Sequence, residues 1–313
     1  MQLWQQAMIG LARSKRVTRA MQGSTVMGAF SQRFVGGEDG KAAIARGGNL
    51  RESGISASLF YLGEYVEEPT LVDRNVAELE GVVPGLAEAG LDVHVSVDPT
   101  QAGSMISWDL CRERVTGLAR TVAAQTGGRL RAVMLDMEDS SVTDRTLELH
   151  SALRDQSLPA AVTVQSYLHR TEDDLDDLVR CGAMVRLVKG AFAEPADRAF
   201  TSRKERDRSY RRCIESLFSR RAREAGAYPV LGTHDHAMIA FASEVAARNK
   251  WPRDKWEVEM LYGVRPDYQW QLVEQGYSLR LYVPFGRDWW PYSIRRVGEN
   301  PRNLWFVLRS LFH

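Results

Sequence analysis

From Ile55 onward, short apolar runs alternate with longer amphipathic segments. ISASLFYLG (55–63) is rich in β-branched and aromatic residues and predicts a strand, whereas EEPTLVDRNVAELEGVVPGLAEAG carries helical periodicity and stops at Gly90. The unit then recurs. LDVHVSVD (91–98), RAVMLDME (131–138), AAVTVQSY (160–167), AMVRLVKGAF (183–192), YPVLGTHD (228–235), WEVEMLYG (256–263) and LRLYVPFG (279–286) each predict a strand followed by helical sequence. Strands that alternate with helices form parallel sheets, and eight such units in roughly 250 residues match an α/β fold of the (β/α)8 TIM-barrel type. A doubly wound open sheet is the alternative, but such a sheet commonly opens with a GxGxxG turn, which this chain lacks. The units do not resemble one another, which excludes a solenoid. Residues 1–50 predict an N-terminal helical segment, with GGEDGKAAIA as a turn that starts a new helix, and 51–313 the barrel.

Composition narrows the partners. The 313 residues carry a formal charge of +1, so no polyanion is implied and nucleic acid is not an expected partner. Three scattered cysteines, Cys111, Cys181 and Cys213, make neither a disulfide framework nor a zinc site and fit a reducing, cytoplasmic compartment. No stretch has the length of a membrane span or the layout of a signal peptide. The basic start, MQLWQQAMIGLARSKRVTRAM, leaves open a peripheral contact with the inner face of a membrane.

In such a barrel, chemistry gathers at the C-terminal strand ends. Those ends carry Asp98, Asp136, Gln165, Arg186, Lys189, Thr233, His234, Glu259 and Tyr282, too polar a set for packing alone. Arg186 is flanked by Val185 and Leu187, so it must find an anion or pay heavily in desolvation; Asp136, two strands away, and a ligand are the expected neighbours. Beyond the last strand, Tyr292, Arg295, Arg296 and Glu299 share one helical face. Two adjacent guanidiniums suit a carboxylate, which they grip with paired hydrogen bonds. The bland reading of this face is a solvated Arg/Glu surface.

Two motifs are set aside. Gly36, Gly40 and Lys41 imitate a phosphate loop, but the spacing is one residue short, Ala42 stands where Ser or Thr is needed, and no strand precedes. In THDH (233–236), His234 and His236 alternate on an expected strand and suggest a metal. A catalytic site needs three protein ligands, and only two are placed, so no metal is expected.

DMED, VTVQSYLHRT, VRLVKGAF, GTHD, EMLYG and RLYVPFG followed by YSIRRVGEN, with FYLGEYV near the start, resemble the ordered motifs of the proline dehydrogenase family. The resemblance implies a distorted (β/α)8 barrel with FAD across the strand ends, and oxidation of L-proline to pyrroline-5-carboxylate. Hydride would leave the carbon next to nitrogen, and a quinone or oxygen would reoxidise the flavin. By motif, Met137, Gln165, Arg186, Lys189, Gly190, Ala191, Thr233, His234 and Glu299 would hold FAD. Arg295 and Arg296 would bind the substrate carboxylate under Tyr282 and Tyr292, with Asp136 and Arg186 as catalytic residues. Arg186 and Lys189 would supply positive charge near the reduced ring.

Two positions depart from the family pattern. SVDPTQAG places Asp98 where a lysine is usual, as in SVKLTQLG, and Phe192 stands where tyrosine is common. Asp98 and Asp136 on neighbouring strands would repel each other and reverse the charge of the pocket. That makes a changed amine or amino-acid substrate the alternative within the family. A flavin-binding paralogue without turnover is the alternative of another class.

Overall fold

One sheet of eight parallel strands closes on itself in the order β1 to β8. The computed structural model describes residues 33–63, 65–290 and 292–294. The strands are β1 (Ile55–Tyr61), β2 (Val93–Val97), β3 (Arg131–Leu135), β4 (Ala160–Gln165), β5 (Met184–Val188), β6 (Tyr228–Gly232), β7 (Glu257–Leu261) and β8 (Leu279–Phe285). All eight fall inside the expected runs. The seam between β1 and β8 pairs in unbroken register from Ile55↔Leu279 to Tyr61↔Phe285.

Helices fill the connections. In order they are α1 (Gly40–Glu52), α2 (Pro69–Glu88), α3 (Trp108–Ala123), α4 (Thr143–Asp155), α5 (Thr171–Arg180), α6 (Arg203–Leu217), α7 (Arg220–Glu224), α8 (His236–Arg248) and α9 (Pro266–Glu274). The expected helix after the GGEDG turn is α1, which Asp39 caps by accepting a hydrogen bond from Ala42 N at 2.8 Å. Among the described residues no helix is long and apolar enough to cross a membrane.

Strand periodicity divides the side chains between two environments. Val95, Val133, Val162, Val185, Leu187, Leu231, Val258 and Leu281 point outward and join the helix faces in the main core. Inward, Ala132, Met134, Ala161 and Val230 form only a small cluster. Much of the remaining described interior is polar. At its N-terminal end Arg280, fully buried, donates to Glu257 Oε1 at 2.6 Å, Asp92 Oδ2 at 2.7 Å and Ala57 O at 2.7 Å. Arg129 and Tyr228 reach the same Glu257 carboxylate at 3.0 and 3.2 Å. This ion cluster closes the barrel floor, and it lay unread in the sequence.

Residues before α1 cross the opposite end of the β1–β8 seam. Gly36 N donates to Pro284 O at 2.7 Å and Gly286 N to Gly37 O at 2.9 Å. A Cβ at Gly36 would lie 2.4 Å from the Val283 side chain, so the close backbone approach accounts for the glycine. Phe34 and Val35 thereby pack with Phe60, Leu62, Trp289, Trp290, Tyr292 and Ile294 at the mouth.

Candidate active site

Val185 and Leu187 face the helices, which turns Arg186 into the barrel beneath its C-terminal mouth. There its Nε and Nη2 grip Glu259 in a two-pronged pair at 2.9 and 2.8 Å. Nη1 donates to Asp136 and, at 3.3 Å, to Thr163 Oγ1, and Nη2 also donates to Ser96 Oγ at 3.0 Å. All five guanidinium hydrogens therefore have protein acceptors. Asp136 extends the β2–β3 ladder through its N–H to Val97 O at 3.0 Å, and its other carboxylate oxygen accepts from the Tyr282 hydroxyl at 2.8 Å. The Tyr282 ring covers the guanidinium, 5.3 Å from its carbon, and stacks on Phe60.

Two carboxylates share one guanidinium here. Burial pushes Asp136 and Glu259 above their ordinary range, and Arg186 only partly opposes this. Burial also acts against the charged guanidinium, but Glu259 and Asp136 outweigh it and hold Arg186 protonated. Tyr282 is raised well above the usual phenol value by burial, then by Asp136 and Asp98. Asp98 is nearly buried, and its charge adds to the rise of the Tyr282 phenol.

Lys189, just past β5, lies between Asp207 at 2.7 Å and Asp235 at 2.8 Å. Arg186 and Lys189 thus each carry two carboxylates. The expected pairing of Arg186 with Asp136 is present, and acids after β3, on β7, on α6 and in the β6–α8 turn balance the two cations. Gly190 has φ +97, and a Cβ there would lie 2.1 Å from the Tyr167 ring, so the chain leaves bare backbone at this point of the mouth. Ala191 follows it and is exposed.

The other expected residues divide between bracing and lining. Gln165 donates its amide to Glu138 O at 2.7 Å, and both Glu138 carboxylate oxygens accept from Thr100, at 2.9 Å from N and 2.7 Å from Oγ1. Met137 packs into the main core. Thr233 is buried beside β7, its N–H donating to Glu259 O at 3.1 Å. The two histidines of THDH do not alternate on a strand. β6 ends at Gly232, His234 Nε2 accepts from Leu261 N at 3.3 Å, and His236 opens α8 with its ring stacked on Tyr268 at 3.4 Å. Asp235 caps that helix through Ala237 N at 3.0 Å, a signal the sequence carried. Among the described residues no group of three or more His, Cys, Asp or Glu is placed to hold a metal. Tyr292 is buried in the mouth cluster and close enough to influence Tyr282. Arg295, Arg296 and Glu299 lie outside the described residues. Sequence reasoning missed Glu259 as the main partner of Arg186.

A closed parallel barrel with a buried charged cluster under the C-terminal ends of its strands defines an enzyme of the (β/α)8 class. Residues 43–309 match the family model described as Proline dehydrogenase. The chain belongs to the proline dehydrogenase family, and is with it an oxidoreductase acting on a CH–NH donor. It is 33% identical over 279 residues to proline dehydrogenase 2 of Bacillus subtilis (strain 168), covering 89% of each chain. Proline dehydrogenase of Deinococcus radiodurans is 31% identical over 314 residues, covering 99% of this chain and 98% of that one. Among solved structures, proline utilization A (PutA) from Bdellovibrio bacteriovorus, inactivated by N-propargylglycine, superimposes with a TM-score of 0.80 at 22% identity. That match covers 95% of this chain but 36% of PutA, and it shows the fold.

Proposed function

We propose that this enzyme oxidises L-proline to pyrroline-5-carboxylate with FAD as hydride acceptor. The observation that carries the reading is the buried Arg186–Asp136–Tyr282–Glu259 cluster at the strand ends of a chain that belongs to this family. The residues present fit a flavin dinucleotide. At the ends of β4 to β6 stand the amide of Gln165, the ammonium of Lys189, the hydroxyl of Thr233 and the ring of His234, beside the bare backbone of Gly190 and Ala191. Backbone without a side chain at Gly190, beside an ammonium, suits a diphosphate. Met137 and Glu299 complete the proposed cofactor set.

Bound there, FAD would accept the hydride; the remaining tasks fall to the chain. Arg295 and Arg296 hold the substrate carboxylate and so fix the donor carbon. Tyr282 keeps its hydroxyl hydrogen because Asp136 accepts it and burial opposes ionisation, and it presents a rigid wall to the substrate ring. Tyr292, Trp289 and Trp290 exclude water from the mouth. Arg186, wholly engaged by protein acceptors, positions Asp136 from beneath.

Asp98 favours a second reading, in which the preferred substrate is a different amine carrying added positive charge. Its carboxylate acts on the same phenol as Asp136, which makes this part of the pocket acidic. Turnover of a panel of cyclic and acyclic amines, with mass identification of the imine formed, separates the readings. Dominant kcat/KM for L-proline in the unmodified protein removes the second; activity that moves toward proline in Asp98→Lys supports it. Flavin retained without turnover of any donor would indicate a binding paralogue and remove both.

A further inference from the structure

Between the floor cluster at Arg280 and the cluster at Arg186, the barrel interior carries three buried polar side chains, Ser58 on β1 and His94 and Ser96 on β2. They form a row. Arg186 Nη2 donates to Ser96 Oγ at 3.0 Å, the Ser96 and Ser58 oxygens are 3.1 Å apart, and Ser58 Oγ is 2.8 Å from His94 Nδ1. Nε2 of His94 has no hydrogen-bond partner among the described residues.

Counting hydrogens sets the direction of the row. A guanidinium only donates, so Ser96 accepts from Arg186. When Ser96 then donates to Ser58, and Ser58 to His94 Nδ1, one hydrogen is left over, that on Nε2. In the reverse order, with His94 Nδ1 donating to Ser58 and Ser58 to Ser96, two groups are left over: the Ser96 hydroxyl hydrogen and the Nε2 lone pair. A buried polar group without a partner pays its full desolvation cost, so the order that leaves one such group is favoured over the order that leaves two. Arg280 and Arg186 act on the ring from β8 and β5, while the carboxylates of Asp92, Glu257, Asp136 and Glu259 are already engaged by those two guanidiniums. Burial, then Arg280 and Arg186, keep the imidazole neutral, well below its usual pKa.

We propose that His94 is a positioning residue for this site: through Ser58 and Ser96 it fixes the guanidinium plane of Arg186, and with it the Asp136–Tyr282 pair at the mouth. Glu259 holds one edge of that plane and Ser96 the remaining Nη2 hydrogen, so Nη1 has a set direction toward Asp136. The role deepens the oxidoreductase reading and rests on it for its kinetic consequence.

The test has two arms. The first needs neither flavin nor substrate: long-range proton–nitrogen spectra of the full chain labelled at histidine, with His94→Asn for assignment. A ring with its hydrogen on Nε2 and a bare Nδ1, unchanged between about pH 8 and 5, is expected. A hydrogen on Nδ1, or a ring that titrates in that window, overturns the relay. The second arm compares loaded enzymes. His94→Leu removes the acceptor, whereas His94→Asn returns a side-chain oxygen near the position of Nδ1, and both lose the packing of the ring. His94→Leu and Ser96→Ala should lower kcat about tenfold with KM within about twofold, and His94→Asn should restore kcat to within about threefold of the parent despite a melting temperature as low as that of His94→Leu. Should His94→Leu fail to fold, Ser96→Ala carries the comparison. Loss of turnover in proportion to loss of stability, alike for Asn and Leu, makes His94 merely structural and sinks the proposal. If the parent oxidises no CH–NH donor, the functional reading fails, while the spectra still decide the relay.

Discussion

Replacing Arg186 with Met removes the one cation that two nearly buried carboxylates share. Glu259 would lose a two-pronged pair at 2.9 and 2.8 Å, and Asp136 would keep, among the described residues, the side-chain hydrogen bonds from Tyr282 at 2.8 Å and Thr163 at 3.3 Å. Breaking a buried pair in this way costs about 3 to 5 kcal/mol. The loss depends on pH. Both carboxylates already sit above their ordinary values because of burial, and without Arg186 they rise further. The folded variant then binds more protons than its unfolded chain, so its stability falls as pH rises through the raised folded-state values, and is best kept near or below the ordinary carboxylate value of about 4. Denaturant unfolding of parent and Arg186→Met between about pH 5 and 8 should show a deficit of about 3 to 5 kcal/mol at the upper end that narrows toward the lower. Equal stability at pH 8, or a deficit of the same size at both ends, would refute the shared-cation account.

Gly190→Ala should lower flavin retention and the melting temperature together, because the new methyl would sit 2.1 Å from the Tyr167 ring at a φ of +97; a flavin-to-protein ratio and melting curve equal to those of the parent would contradict the close approach. Arg295→Met and Arg296→Met should each weaken apparent substrate affinity by roughly ten- to a hundredfold, the worth of charge-assisted hydrogen bonds, with flavin still bound. Unchanged substrate titrations in both would return the pair to a solvated face. Arg280→Met should destabilise the fold by about 3 to 5 kcal/mol through the uncovered Glu257 and Asp92, measured by denaturant unfolding, while KM of the remaining folded enzyme stays within about twofold. A KM that moves as far as in the Arg295 variant would show that the floor and the mouth are not separate.

The barrel was legible because its period is local. Each outward Val or Leu alternates with an inward residue, and the helices begin where caps and charges predict. Arg186 was legible for a related reason, since an arginine between Val185 and Leu187 has no cheap explanation. The same signal stood at Arg280, between Leu279 and Leu281, and was overlooked. What the chain did not reveal depends on register around the closed sheet. Glu259 lies 73 residues from Arg186 and meets it only because β6, between their strands, carries the small Val230 and Gly232 at the facing positions. Ser58 and Ser96 look like ordinary strand serines until the β1–β2 pairing brings them together. The THDH turn was misread as strand because two alternating histidines outweighed an aspartate at a helix start.

Anaerobic mixing of the purified, flavin-loaded protein with L-proline tests the central claim most directly. Loss of the oxidised flavin band, saturable in proline and requiring higher proline in Arg295→Met, is the predicted result. A flavin that stays oxidised with L-proline and with every cyclic and acyclic amino acid offered, or a purified chain that takes up no flavin at all, would contradict it.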